Sequence, residues 1–306
     1  MLILDCKTVA QKIKDDVKAV VQLNTVQEKT YKRVPVLCII QVGDNPASNA
    51  YIRGKMKDAE EVGIKVDYVK LPEESTDSDI NHEISKRTYR SGYTLDGIHY
   101  HCDGVIVQLP LPKHIDVSKI SIPEYYDVDG FQKKSSFLPC TPSGVMELID
   151  SIGYNLDGKI AMIIGQSPIV GAPLCDMLMK RHCNVISINS SMEKYIREEM
   201  LLRADVLITA AGRMNLITEN DLDCKWSAGI NGYENTGSCP DLIIDVGINY
   251  KDGKQYGDCS EELRSEKYYH CFDITPRIGG VGLLTRAKLM ENVAISCYGA
   301  KEYWFK

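Results

Sequence analysis

VPVLCIIQVGDNPASNAYIRGKMKDAEEVGIKVDYVKLP (residues 34–72) reads as strand, helix, strand. The run 34–43 is unbroken and rich in β-branched residues, the pattern of a strand covered on both faces in a parallel sheet. Asn45 suits a helix N-cap, Pro46 the first helical position and Gly63 the C-terminal stop, so 45–63 is punctuated as a helix. IKVDYVKLP (64–72) is the second strand. Working outward, Val9, Ile13, Val17 and Val20 recur at helical spacing and predict an amphipathic helix over 6–23. A further helix is predicted over 77–91, and GVIVQLPLP (104–112) reads as a third strand ended by prolines. The β-α-β-α-β order favours a parallel sheet with helices on its faces.

PCTP (139–142) follows, with Thr141 and Pro142 read as cap and first position of a helix running to about residue 152. The domain crossing is placed there. A second α/β series opens with KIAMIIG (159–165). It alternates through helices near 171–182 and 193–202 and strands at 184–188, 205–210 and 241–246. A last apolar helix is expected near 285–300, after the glycine-rich IGGVG (278–282). The fold expected is α/β with two domains: a catalytic domain over 1–140, rejoined by 280–306, and a Rossmann-like parallel-sheet cofactor domain over 141–279.

The 306 residues suit two domains, and 44% hydrophobic with 25% charged is an ordinary globular composition. A net charge of −6 leaves no basic footprint for nucleic acid or an anionic membrane. No apolar run approaches a membrane span, and the N-terminus turns charged after four residues, which argues against a secretory signal. Eleven scattered cysteines without a CxxC pair fit reduced thiols in a cytoplasmic protein.

GQSPIVGAP (165–173) follows a strand and opens a helix, the setting in which backbone N–H groups bind a pyrophosphate. Ser167 takes the place of the second glycine of GxGxxG, and Gly171 comes one residue late. A tight turn without a ligand explains the same pattern. The next strand ends in Asn189, Ser190 and Ser191, with no carboxylate to repel a 2′-phosphate and no arginine to clamp one. Lys194 and Arg197 are nearby cations that read more simply as solvated helix charges. AAG (210–212) and DVGIN (245–249) end further strands with small residues, where a ligand can approach closely.

In the first domain, Ser48, Tyr51 and Lys55 share one face of the 46–62 helix. Gln108 ends a buried strand and needs a partner, structural or in a site. DVDG (127–130) is a turn, or presents Asp129 to paired N–H donors of an amino-heterocycle. His99, His101 and Cys102 lack a second cluster at metal-ligand spacing and are read as loop residues, so no metal is expected. Cys140 has no evident histidine base and is read as packing.

Together VGDNPASNAYIRGKMKDAEEVGIK, DGVIVQLPLPKHID, DVDGF, PCTPSGVMELI, GQSPIVGAPLCDML, ADVLITAAG, IIDVGINY and GGVGLLT occur in one order along nearly the whole chain. In this the sequence resembles the bifunctional methylenetetrahydrofolate dehydrogenase/methenyltetrahydrofolate cyclohydrolase family, the FolD type. The resemblance implies oxidation of 5,10-methylenetetrahydrofolate with NADP (or NAD), then hydrolysis to 10-formyltetrahydrofolate, in a cytoplasmic homodimer serving purine biosynthesis. It implies Lys55 as the cyclohydrolase lysine, Tyr51 as its neighbour, Gln108 as its partner and Asp129 as the pterin holder. Ser48, Gly279 and Gly280 would line the folate. Gly165, Gln166, Ser167, Ile169, Val170, Ser190, Ala211, Gly212, Gly247, Ile248 and Thr285 would line the cofactor.

Several positions depart from the family pattern. Gln166 stands where an arginine is usual, INSSM (188–192) replaces a CHSKT-like stretch, and RIGGVGLLT (277–285) replaces VPGGVGPMT. Only residues 132–138 separate DVDGF from PCTP. These changes spare the lysine-centred set and erode the cofactor set. A cyclohydrolase-dominant enzyme and a non-catalytic folate- or nucleotide-binding module are the alternatives. A generic hydroxy- or amino-acid dehydrogenase would explain the second domain alone.

Overall fold

The computed structural model describes residues 3–26, 33–89, 93–95, 98–100, 102–189, 191–222, 226–229, 232–235, 239–268 and 271–300. The chain divides into two units: Gln11–Cys140 with Arg286–Lys306, and Met1–Ala10 with Thr141–Thr285.

The first unit holds most of α1 (Cys6–Val26), then β1 (Val36–Val42), α2 (Pro46–Val62), β2 (Lys65–Leu71), α3 (Asp77–Thr88) and β3 (Gly104–Val107). The sheet order is β2-β1-β3, and both pairings are parallel. All seven β1 residues are buried. Leu37 and Ile39 pack with Val17 and Val20 of α1, Ile52 and Ala59 of α2, and Leu289 and Val293 of the last helix. Val36, Cys38 and Ile40 pack on the other face with Ile80 and Ile84 of α3. The unbroken apolar run therefore has a physical cause: alternate side chains face two different helical layers. Each fully buried Leu or Ile contributes about 1.5–3 kcal/mol.

The α2 helix is bounded as its punctuation predicts. The Asn45 side chain accepts from the N–H groups of Ala47 and Ser48, Pro46 opens the helix, and Gly63 closes it in the left-handed region. This capping fixes where α2 starts, and with it which face carries Ser48 and Lys55.

The second unit runs through α4 (Cys140–Ser151), β4 (Ile160–Ile164), α5 (Gly171–Met179), β5 (Asn184–Ile188), α6 (Lys194–Leu201), β6 (Val206–Thr209), β7 (Leu242–Asp245), β8 (Asp273–Ile274) and the start of α7 (Val281–Tyr298). Its sheet has the order β8-β7-β6-β4-β5, parallel throughout. The first residues join this unit because Leu4 donates its N–H to the Ile274 carbonyl at 2.9 Å and Ile3 bridges to Ile274.

Some boundaries differ from the sequence reading. The third strand stops at Val107, since the prolines after Gln108 offer no N–H to a ladder. Helix α4 begins at Cys140, so Thr141 is helical rather than a cap, and its hydroxyl meets that of Thr285 at 3.1 Å. Strand β8 and three short hairpins were not read from the sequence. No described helix is long and apolar enough to cross a membrane.

Candidate functional site

The first unit brings Ser48, Tyr51, Lys55, Gln108 and Asp129 together. Lys55 is 3% exposed, an unusual place for an ammonium. Its Nζ donates to Gln108 Oε1 at 3.1 Å, stands 3.9 Å from an Asp129 carboxylate oxygen and lies 5.3 Å from the Tyr51 ring centre. Gln108 Nε2 donates to the Leu109 carbonyl at 2.7 Å, which turns the amide oxygen toward the lysine. The Ser48 hydroxyl reaches the same Leu109 carbonyl at 3.3 Å.

Burial pushes the Lys55 pKa below the ordinary lysine value. The Asp129 carboxylate works against this, and the Arg286 guanidinium adds to it. Gln108 supplies an acceptor without a charge, so it orients the amine without pinning a proton on it. The Asp129 side chain is one-third exposed, which leaves it free to accept from a ligand. Cys140 is fully buried, which pushes its thiol pKa well up, and its Sγ lies 3.3 Å from the Val128 carbonyl. That is packing, not a nucleophile.

In the second unit, β4 turns into α5 through Gly165, Gln166, Ser167, Ile169 and Val170. Gly165 has φ +128°, and a Cβ there would lie 2.3 Å from the Ala210 carbonyl oxygen. A Cβ on Gly171 would lie 1.8 Å from the Gly165 carbonyl oxygen. The tight turn thus draws the loops after β4 and β6 together at the carboxyl edge of the sheet. Val170 offers no capping side chain of its own, and its N–H is taken by the Ser167 hydroxyl at 3.2 Å. Ala211 and Gly212 follow β6, and Gly247 and Ile248 follow β7. These positions fit a dinucleotide. Thr285 is buried in α7 and bonds Thr141 and the Val281 carbonyl. Gly279 and Gly280 fall in this unit. Ser190, His101 and the His99 side chain lie outside the described residues.

Gln166 Nε2 donates to the Ser187 carbonyl at 3.1 Å and lies 3.3 Å from its hydroxyl. Arg197 is not a solvated charge: it is mostly buried and faces Asp221 at 3.7 Å. Lys194 is exposed and pairs with Glu198 at 3.4 Å. Among the described residues no group of three His, Cys, Asp or Glu is placed to hold a metal ion.

The catalytic-domain model of tetrahydrofolate dehydrogenase/cyclohydrolase matches residues 4–129, and its NAD(P)-binding-domain model matches residues 139–301. The chain belongs to the tetrahydrofolate dehydrogenase/cyclohydrolase family. The bifunctional protein FolD of Sulfurihydrogenibium sp. (strain YO3AOP1) is 37% identical, covering 95% of this chain and 96% of that protein. The solved FolD methylenetetrahydrofolate dehydrogenase/cyclohydrolase of Campylobacter jejuni is 34% identical with a TM-score of 0.77, covering 97% of this chain and 98% of that one. The Trypanosoma brucei FolD, solved with NADP and an inhibitor, is 25% identical with a TM-score of 0.78, covering 97% of each chain.

Sequence reasoning missed Ser187, Arg286 and Asp258. The first two are ordinary residues in their own segments. Asp258 sits in a GDC triplet with no periodic signal.

Proposed function

We propose that this protein oxidises 5,10-methylenetetrahydrofolate to the methenyl form with NAD(P) and hydrolyses that product to 10-formyltetrahydrofolate. The observation that carries the reading is the buried Lys55 amine held 3.1 Å from a neutral amide oxygen. Family membership and the strand-end loops of the second unit support the dehydrogenase half.

When bound, NAD(P) supplies a hydride acceptor. Gly165, Gln166, Ser167, Ile169 and Val170, with Ala211, Gly212, Gly247, Ile248, Thr285 and Ser190, are the residues proposed to hold it. Asp129 accepts from the pterin N–H donors, and Tyr51 and Ser48 form the wall beside it. Gly279 and Gly280 are proposed to complete the folate site. The methenyl product is a delocalised cation, which further disfavours a proton on Lys55. The neutral amine takes one proton of the attacking water as oxygen bonds to the bridging carbon, giving a carbinolamine. The bond from that carbon to N5 then breaks as the C=O forms, the hydroxyl proton is released and N5 takes up a proton, leaving 10-formyltetrahydrofolate. Gln108 keeps the nitrogen aimed.

Lys55→Met tests the reading. Hydrolysis of methenyltetrahydrofolate, followed by its absorbance, is expected to disappear while the protein remains folded; a near-normal rate would falsify the assignment. Production of methenyltetrahydrofolate with NADP and with NAD tests the other half, and no signal with either cofactor leaves a cyclohydrolase alone. Gln166 favours weaker NADP discrimination, since a neutral amide tied to Ser187 offers no charge to a 2′-phosphate. A cytoplasmic homodimer supplying one-carbon units to purine synthesis completes the proposal. Light scattering at one subunit mass overturns the dimer.

A further inference from the structure

Asp258 is fully buried in the second unit. Its Oδ2 accepts from the backbone N–H groups of Ala211 at 2.7 Å and Gly212 at 3.2 Å. Its Oδ1 accepts from the Arg213 N–H at 2.7 Å and from Asn249 Nδ2 at 3.0 Å. Three donors are successive N–H groups just past β6; the fourth comes from the loop past β7. Successive N–H groups of this kind form a concave anion site. Here the chain fills it with its own carboxylate.

Gly247 passes so close that a Cβ there would lie 2.1 Å from Asp258 Oδ1. Behind, Asp245 accepts the N–H groups of Asp258 at 2.9 Å and Cys259 at 3.1 Å, and Arg264 pairs with Asp245 at 2.8 Å. Asp258 is thus held from behind and grips both strand-end loops in front. Those loops contain Ala211, Gly212, Gly247 and Ile248. They lie at the carboxyl edge of a parallel sheet, where nucleotides bind in such folds.

We propose that Asp258 is the positioning residue of the dinucleotide site, tying the 210–213 and 245–249 loops into one pre-set surface. The inference rests on the dehydrogenase reading above. An isosteric Asp258→Asn places an NH2 group against N–H donors in either orientation, so either the Ala211 and Gly212 N–H groups or the Arg213 N–H and the Asn249 amide lose their acceptor. Direct titration of NADPH fluorescence is expected to show Kd raised about tenfold or more, equivalent to about 1.4 kcal/mol. KM for NADP is expected to follow, with KM for methylenetetrahydrofolate changed less than about twofold, and hydrolysis of supplied methenyltetrahydrofolate is expected to persist. A merely structural role would lower thermal stability and apparent kcat with Kd and KM unchanged, and that result overturns the proposal.

Should Asp258→Asn not fold, Asn249→Ala keeps the three backbone bonds and removes the side-chain bond from the second loop to the carboxylate, together with the Asn249 bond to the Gly257 carbonyl; its Kd is expected to rise several-fold. An unchanged Kd in that variant overturns the proposal equally. Wild-type protein that binds NADPH without turnover refutes the dehydrogenase reading and leaves the Kd comparison intact. Wild-type protein that does not bind NADPH sinks both.

Discussion

Lys55 and Asp258 are both charged residues withdrawn from water, in different units, and their surroundings are opposite. Lys55 donates to a neutral amide at 3.1 Å and has its carboxylate neighbour at 3.9 Å. Asp258 accepts from four donors at 2.7–3.2 Å. Burial pushes the pKa of each toward its neutral form, but only Asp258 has a full set of partners to oppose the shift. A buried base with sparse partners exchanges a proton readily, which suits chemistry. A buried acid with filled partners fixes backbone, which suits a scaffold.

The contrast breaks most sharply at Lys55. Lys55→Met is expected to lower methenyltetrahydrofolate hydrolysis by about 10²–10⁴-fold, the usual range for removing a general base. The same variant is expected to melt at or above the wild-type temperature, because a buried amine is exchanged for an apolar side chain of similar length. A large drop in melting temperature would show that the lysine is part of the scaffold too.

The pH dependence sharpens the comparison. A general base works unprotonated, so the hydrolysis rate climbs as pH rises through the Lys55 pKa. Asp129 holds that pKa up. Asp129→Asn is therefore expected to move the rising limb to lower pH, with a higher KM for the folate. Gln108→Glu places a carboxylate beside the amine and is expected to move the limb to higher pH, lowering the rate at neutral pH. Rate profiles of the two variants that shift together in one direction would remove Lys55 from the titrating step.

The smallest effect is expected at the cofactor edge. Gln166→Arg supplies the cation that the Ser187-bound amide lacks. It is expected to raise the NADP over NAD preference in kcat/KM by about tenfold, in line with a charge-assisted hydrogen bond. An unchanged ratio would place 2′-phosphate discrimination elsewhere.

Local signals carried much of the architecture. The Asn45, Pro46 and Gly63 punctuation bounded α2, and the apolar run in β1 announced a strand buried on both faces, because capping and periodicity act within a few residues. The lysine face was legible in the same way: Ser48, Tyr51 and Lys55 follow from helical spacing alone. Residue order also marked Gly165 and Gly171 as a strand-to-helix turn.

Other features depend on residues far apart in the chain. Arg197 carries the same local pattern whether it meets water or Asp221. Nothing near Lys55 in sequence says that Gln108, 53 positions later, turns its oxygen toward the amine. Asp258 lies 47 residues from Ala211, the first of the N–H donors it gathers. Desolvation and hydrogen-bond satisfaction are sums over spatial neighbours, so the charge state of the lysine and the grip of the carboxylate exist only once the chain has folded.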